Sequence, residues 1–128
     1  MDREGLLTGL SLVAAALASI HMADDVCRGF EPGGLKNLGG IAILAAWSGA
    51  ALLRGGRWPG YAVLALGSLL GLVMPLAHLL GKGLSPVAAT PGGHLFVWTL
   101  FVLGAVSLVA LPLAVQGLWR ARGNRPMA

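Results

Sequence analysis

The sequence predicts an all-α integral membrane protein, a four-transmembrane-helix bundle with both termini in the cytoplasm. Composition is the first indication: of the 128 residues, 56% are hydrophobic and only 11% are charged, and the mean hydropathy is +0.79. A soluble domain of this length needs more charged residues to cover its surface. The apolar residues also fall into four long stretches, and the basic residues lie mostly at one set of their ends. We therefore expect a multi-pass protein of the cell membrane.

The four apolar stretches cover residues 5–23, 38–53, 58–80 and 95–119. A helix needs about 20 residues to cross a hydrocarbon core of about 30 Å. Three stretches are long enough, and the second reaches this length by including part of residues 33–37. Leu, Ala and Gly dominate the stretches without the period-2 alternation of membrane strands. We predict helices at about residues 5–23, 35–53, 58–80 and 94–119, in a single domain that comprises residues 1–128.

The first stretch has a second interpretation as a cleaved signal. Ala16-Leu17-Ala18 resembles a signal-peptidase site that follows a short apolar segment. The leading segment MDREG, however, has no net positive charge, and a secretory signal begins with a basic segment. We interpret the stretch as a retained helix.

The positions of Lys and Arg predict the orientation. One set of helix ends carries six basic residues: Arg3, Arg54, Arg57, Arg120, Arg122 and Arg125. The other set carries three: Arg28, Lys36 and Lys82. Short loops rich in Lys and Arg stay in the cytoplasm, so residues 24–37 and 81–93 are expected outside. The pI near 10.3 then reflects attraction to anionic lipid, and no nucleic-acid partner is expected.

Polar residues concentrate at the outer ends of the helices. His21 ends the first helix, His78 lies in the last turn of the third, and His94 opens the fourth. Asp24 and Asp25 follow His21 by three and four residues, so they share its face if the helix continues. Polar side chains at membrane depth usually face the interior of a bundle or a wet cavity. These residues therefore predict one extracytoplasmic His/Asp site.

A transition metal is the ligand that this residue set suits. Three imidazoles with one or two carboxylates favour Zn, Cu or Fe over Mg or Ca. We predict His21, His78 and His94 as ligands, with Asp24 or Asp25 completing the shell and the other orienting an imidazole. No H-E-x-x-H or C-x-x-C motif accompanies them, so the prediction depends on topology and residue type. The function predicted is metal binding or handling.

Three other functions stay open. His21 and His78 each precede a loop with Pro-Gly-Gly, at residues 32–34 and 91–93, and as equivalent positions they suggest a bis-His haem b in a redox enzyme or subunit. His and Asp at the membrane edge also suit acid–base chemistry on a lipid or sterol-like substrate. The last alternative is a helper subunit or scaffold without chemistry, whose outer loops contact a partner. For the protein as a whole, the expected partners are the lipid bilayer and a larger membrane complex or a second copy of the chain.

Small residues and Pro75 are expected to shape the bundle. Gly67 and Gly71 form a Gly-x-x-x-Gly pair on the third helix, which we interpret as close packing within the bundle, with homodimerisation as the alternative. Pro75 should kink this helix one turn before His78. Trp47 is too deep for an interfacial position, so it either fills the core or lines a cavity.

Overall fold

The computed structural model describes residues 2–54, 56–81 and 84–123, which form helices and connecting turns without a strand. Five α-helices follow one another: α1 (Arg3–Cys27), α2 (Leu38–Leu53), α3 (Trp58–Leu80), the one-turn α4 (Ser85–Ala88) and α5 (Gly93–Gly123). A 3₁₀ turn, Gly34–Asn37, leads directly into α2. Lys82 and Arg125, which entered the charge comparison, lie outside the described residues.

Four of the helices are long and apolar enough to cross a membrane. They coincide with the four predicted spans, and the prediction of an all-helical chain is confirmed. The second span reaches 20 residues only when the 3₁₀ turn is included, as Gly34–Leu53. The last is longer than predicted, because α5 continues past residue 119 to Gly123. The first is also longer, because α1 continues past its predicted end at residue 23 to Cys27. This extension keeps Asp24 and Asp25 on a helix.

Local chemistry explains where the helices begin and turn. The Asp2 carboxylate caps α1 by accepting a hydrogen bond from the Gly5 N–H at 2.7 Å, which satisfies one of the free N–H groups of a helix start. Pro59 lies in the first turn of α3, where a missing N–H costs nothing. Gly56 has φ +72°, a conformation that glycine adopts without strain. It lets the chain reverse between α2 and α3.

The long helices form a square bundle. α5 packs against α1 and α3, and α2 packs against the same two helices. In the described part of the chain α2 and α5 make no contact, so they are diagonally opposite, whereas α1 and α3 approach each other across the centre. α1 and α3 run in the same direction. We call the end where they finish the His end and the end where they begin the Arg end.

Glycine permits close approach between the helices. Gly67 faces the indole of Trp47, and Gly71 faces Ser107 on α5. A Cβ at Gly104 would lie 2.9 Å from Pro75 Cγ, so this glycine admits the proline ring, which is buried. The Gly-x-x-x-Gly pair therefore packs within the bundle, as the sequence predicted.

Candidate metal centre

Three side chains converge at the His end of the bundle. His21 and Asp25 from α1 and His78 from α3 each offer a ligand atom, and these atoms lie within 4.8 Å of one another. His21 is fully buried and Asp25 is buried, while His78 is partly buried. This group can hold a metal ion.

Helix geometry accounts for the convergence. Asp25 lies one turn after His21 on α1, so the two side chains share a face. His78 lies in the last turn of α3, the helix that approaches α1 across the centre of the bundle. Because α1 and α3 run in the same direction, residues near both carboxyl ends meet at the same depth.

The distances match a small coordination shell. His21 Nε2 lies 3.4 Å from His78 Nε2, and the two nitrogens lie 3.6 Å and 3.9 Å from the oxygens of Asp25. Nitrogen and oxygen ligands about 2.0–2.2 Å from a tetrahedral zinc ion are about 3.3–3.6 Å apart. Each pair of residues therefore approaches to within about one edge of a coordination tetrahedron, with a different Asp25 oxygen nearest to each imidazole.

The protonation of His78 suits a ligand. Its Nδ1 lies 3.0 Å from the carbonyl oxygen of Met74, and since a carbonyl only accepts, Nδ1 carries the proton. Nε2 then presents its lone pair to His21 and Asp25. Metal-binding histidines usually donate their second N–H to a carbonyl or carboxylate, which fixes tautomer and orientation.

Two buried polar atoms of the cluster lack partners. His21 Nδ1 and Asp25 Oδ1 are buried without a hydrogen bond to any described residue. Buried polar atoms without partners are uncommon and costly. For Asp25 Oδ1, a cation between the carboxylate and the imidazoles would supply the missing interaction.

An aromatic wall from α5 closes one side of the centre. The ring centroid of Phe96 lies 4.4 Å from that of His21 and 5.6 Å from that of His78. The centroid of the Phe30 ring lies 6.4 Å from that of Phe96. These rings limit the positions of the imidazoles and exclude water from that direction.

Asp24 takes part in a different interaction. Its Oδ2 accepts a hydrogen bond from Arg28 Nε at 2.7 Å, and Arg28 Nη1 donates to Thr90 Oγ1, also at 2.7 Å. Arg28 also lies 5.4 Å above the Phe96 ring. Asp24 thus connects the end of α1 to the segment before α5, and it is not one of the converging donors.

The structure also leaves His94 outside the group. His94 is exposed, whereas Phe96 on the same first turns of α5 is buried against the imidazoles. Positions two residues apart on a helix differ by about 200° in direction, so His94 points away when Phe96 points inward. Of the five predicted ligands, the structure brings together His21, Asp25 and His78.

A cavity of about 400 Å³ adjoins the centre. It lies between α1, α2 and α3, and Asp25 and His78 both line it, whereas His21 does not. Most of its wall is apolar, with Leu44, Trp47 and Leu70 among the lining residues. Trp47 is buried in the core and also lines the cavity. Both roles expected from its depth, core filling and cavity lining, are therefore observed.

A second polar cluster lies at the Arg end and was missed from the sequence. Arg54, largely buried, donates hydrogen bonds to Glu4 Oε2 at 2.7 Å, to Thr8 Oγ1 at 2.9 Å and to the Ala51 carbonyl at 2.9 Å. The Tyr61 hydroxyl donates to Glu4 Oε1 at 2.6 Å. In the sequence Arg54 stands in a short basic turn, which indicated only a cytoplasmic charge.

Comparison with known proteins gives no relative. No protein-family model matches the chain, and neither a curated protein nor a solved structure is similar to it. A functional conclusion therefore depends on the bundle and on the geometry of its His end.

Proposed function

We propose that this protein is an integral membrane protein that binds a transition metal ion on the extracytoplasmic side, with His21, Asp25 and His78 as ligands. The observation that carries the proposal is the convergence of two imidazole nitrogens and a carboxylate within 4.8 Å. The donors come from two different helices, and one face of the group borders a cavity.

The donor set favours particular metals. Two imidazoles and one carboxylate suit Zn, Cu or Fe, whereas Mg and Ca prefer oxygen ligands. A set of three protein ligands leaves one tetrahedral position for water or a substrate, as catalytic zinc sites do, whereas structural zinc sites have four protein ligands. The cavity beside Asp25 and His78 supports an open position on that side.

The outer surface of the bundle supports membrane insertion. Large apolar side chains such as Leu66, Trp98 and Leu108 are exposed, and soluble monomers rarely expose apolar patches of this extent. The orientation depends on charge: among the described residues, five arginines lie at the Arg end against Arg28 and Lys36 at the other. The positive-inside rule then favours a cytoplasmic Arg end.

A bis-His haem fits this geometry less well. A haem iron held by His21 and His78 would need the macrocycle to lie in the plane between the two Nε2 atoms. The Asp25 carboxylate oxygens lie 3.6 Å and 3.9 Å from those nitrogens, beside the position of the iron. The carboxylate would therefore collide with the ring plane, whereas it can bind a single ion directly.

The test is the metal content of protein purified without added metal, for the wild type and two matched histidine variants. We expect about one equivalent of transition metal in the wild type and in His94→Ala, and its loss in His78→Ala. An absorption spectrum with a Soret band would replace the proposal with the haem alternative. Equal metal content in the two variants would refute the ligand set, and absence of metal binding in the wild type would favour the lipid acid–base or helper alternatives.

A further inference from the structure

We propose that the cavity beside the metal centre binds one single-chain lipid whose head group carries hydroxyl or amide groups and no negative charge. The head would lie at Asp25 and His78, and the chain would lie between α1, α2 and α3. The part of this inference that concerns head-group coordination rests on the proposed metal site. The part that concerns the chain rests on the cavity alone.

The body of the cavity suits an alkyl chain. Its volume of about 400 Å³ is within the range of about 300–1,000 Å³ for ligand sites. Away from the His end the lining side chains are apolar, including Leu44, Trp47 and Leu103. Gly71 also lines it.

The cavity opens on the side of the bundle. Among its lining residues, Ile43 on α2 and Leu70 and Val73 on α3 are about half exposed, at 50%, 49% and 46%. These side chains lie mid-helix, where the surface of a membrane-inserted bundle faces lipid tails. A ligand that enters between α2 and α3 therefore comes from the bilayer, and this favours a lipid over a water-soluble molecule.

The polar end of the cavity selects the head group. Its polar lining residues lie at the His end: Asp25, Glu31, Asn37 and His78. In the protein without metal, the carboxylates of Asp25 and Glu31 accept hydrogen bonds from hydroxyl or amide groups and repel a carboxylate or phosphate. The described lining contains no Lys or Arg, and Arg28 is engaged with Asp24 and Thr90. A neutral oxygen of the head group can also occupy the open position of a bound metal.

Leu70 provides a matched test. Leu70 lines the cavity, whereas the adjacent Leu69 does not, and their exposures of 49% and 46% are nearly equal. We would titrate radiolabelled 1-monooleoylglycerol and oleate into the full chain in lipid nanodiscs after removal of metal with a chelator, and measure zinc binding on separate samples of each variant. The wild type should prefer monooleoylglycerol. Leu70→Trp should weaken its binding at least tenfold, and Leu69→Trp should leave it unchanged, with zinc binding retained in both.

Glu31→Gln tests the head group separately, because it removes a carboxylate from the polar end of the cavity. We expect it to reduce the preference for monooleoylglycerol over oleate at least threefold. Equal effects of Leu69→Trp and Leu70→Trp, or a wild type that prefers oleate, would overturn the lipid inference. Lipid binding with this pattern but without zinc binding would refute the metal proposal and retain the cavity assignment. Zinc binding without lipid binding would refute the cavity assignment and retain the metal proposal.

Discussion

Asp24 and Asp25 are adjacent in the sequence, but only Asp25 lies beside the two imidazoles. Asp25 lies 3.6–3.9 Å from both imidazole nitrogens, whereas Asp24 forms an ion pair with Arg28 at 2.7 Å. Asp25→Asn and Asp24→Asn therefore make the same chemical change one residue apart. Their effects on metal binding should differ sharply.

The size of the difference follows from the positions. Loss of an outer-shell partner weakens metal binding about 10–100-fold, and Asp25 is placed to bind the ion directly. Asp25→Asn should therefore weaken zinc binding at least about 100-fold, or about 2.7 kcal/mol. The charge of Asp24 is largely neutralised by Arg28, so Asp24→Asn should change the affinity by less than about threefold. His21→Ala and His78→Ala should each weaken binding at least as much as the milder aspartate variant.

The assay is competition for zinc against a chromophoric chelator, with the purified full chain in detergent micelles at one pH. Helical content and thermal unfolding of each variant show whether the bundle has kept its fold. An Asp24→Asn variant that weakens zinc binding as much as Asp25→Asn would refute the assignment. Zinc affinity that survives the loss of both His21 and His78 would show that the cluster is an ordinary polar rim.

Four further predictions follow from the same structure. Cys27 is exposed, so a membrane-impermeant thiol reagent should label it in intact cells; labelling only after lysis would reverse the orientation. Zinc binding should weaken as the pH falls, because protons compete with the metal for the imidazole nitrogens, and a pH-independent affinity would exclude histidine ligands. Glu4→Gln should lower the free energy of unfolding by about 1–2 kcal/mol, measured by thermal denaturation; the loss is below the ~3–5 kcal/mol of a fully buried pair because Glu4 is more than half exposed. Pro75→Ala restores an N–H that can bond within α3, so it should shift His78 and weaken zinc binding in a bundle that stays folded; unchanged affinity would show that the proline does not position His78.

The sequence predicted the helices well because their signal is local. Length and hydropathy define four spans without any knowledge of the neighbouring elements. The site was predicted in part for the same reason: the spacing of His21 and Asp25 puts them on one helical face, and the position of His78 near the end of α3 gives its depth. Depth and face are properties that one helix possesses alone.

The rotation of each helix about its own axis, which decides the residues that face its neighbours, could not be predicted in this way. α5 is apolar on all sides, so no polar stripe shows which face is buried, and nothing in its sequence indicates that Phe96 and not His94 faces the imidazoles. Asp24 and Asp25 differ by only about 100° on α1, and the distinction between them comes from Arg28 and from α3. The cavity depends on the packing of three helices, which no single stretch of sequence specifies.

The two polar clusters of the bundle differ in the number of hydrogen bonds that their buried groups make. At the Arg end, the two terminal nitrogens of Arg54 donate four hydrogen bonds, to Glu4, Thr8 and Ala51, which join α1 to α2. Arg54 Nε is buried without a hydrogen bond to the described residues. At the His end, Asp25 Oδ1 and His21 Nδ1 are buried without a hydrogen bond to the described residues, and the two imidazoles meet through their Nε2 atoms at 3.4 Å. Local arrangements that cost stability tend to occur where a protein binds its ligand. A cation between the two Nε2 atoms and the Asp25 carboxylate would interact favourably with all three groups, and the cavity beside Asp25 provides access to it.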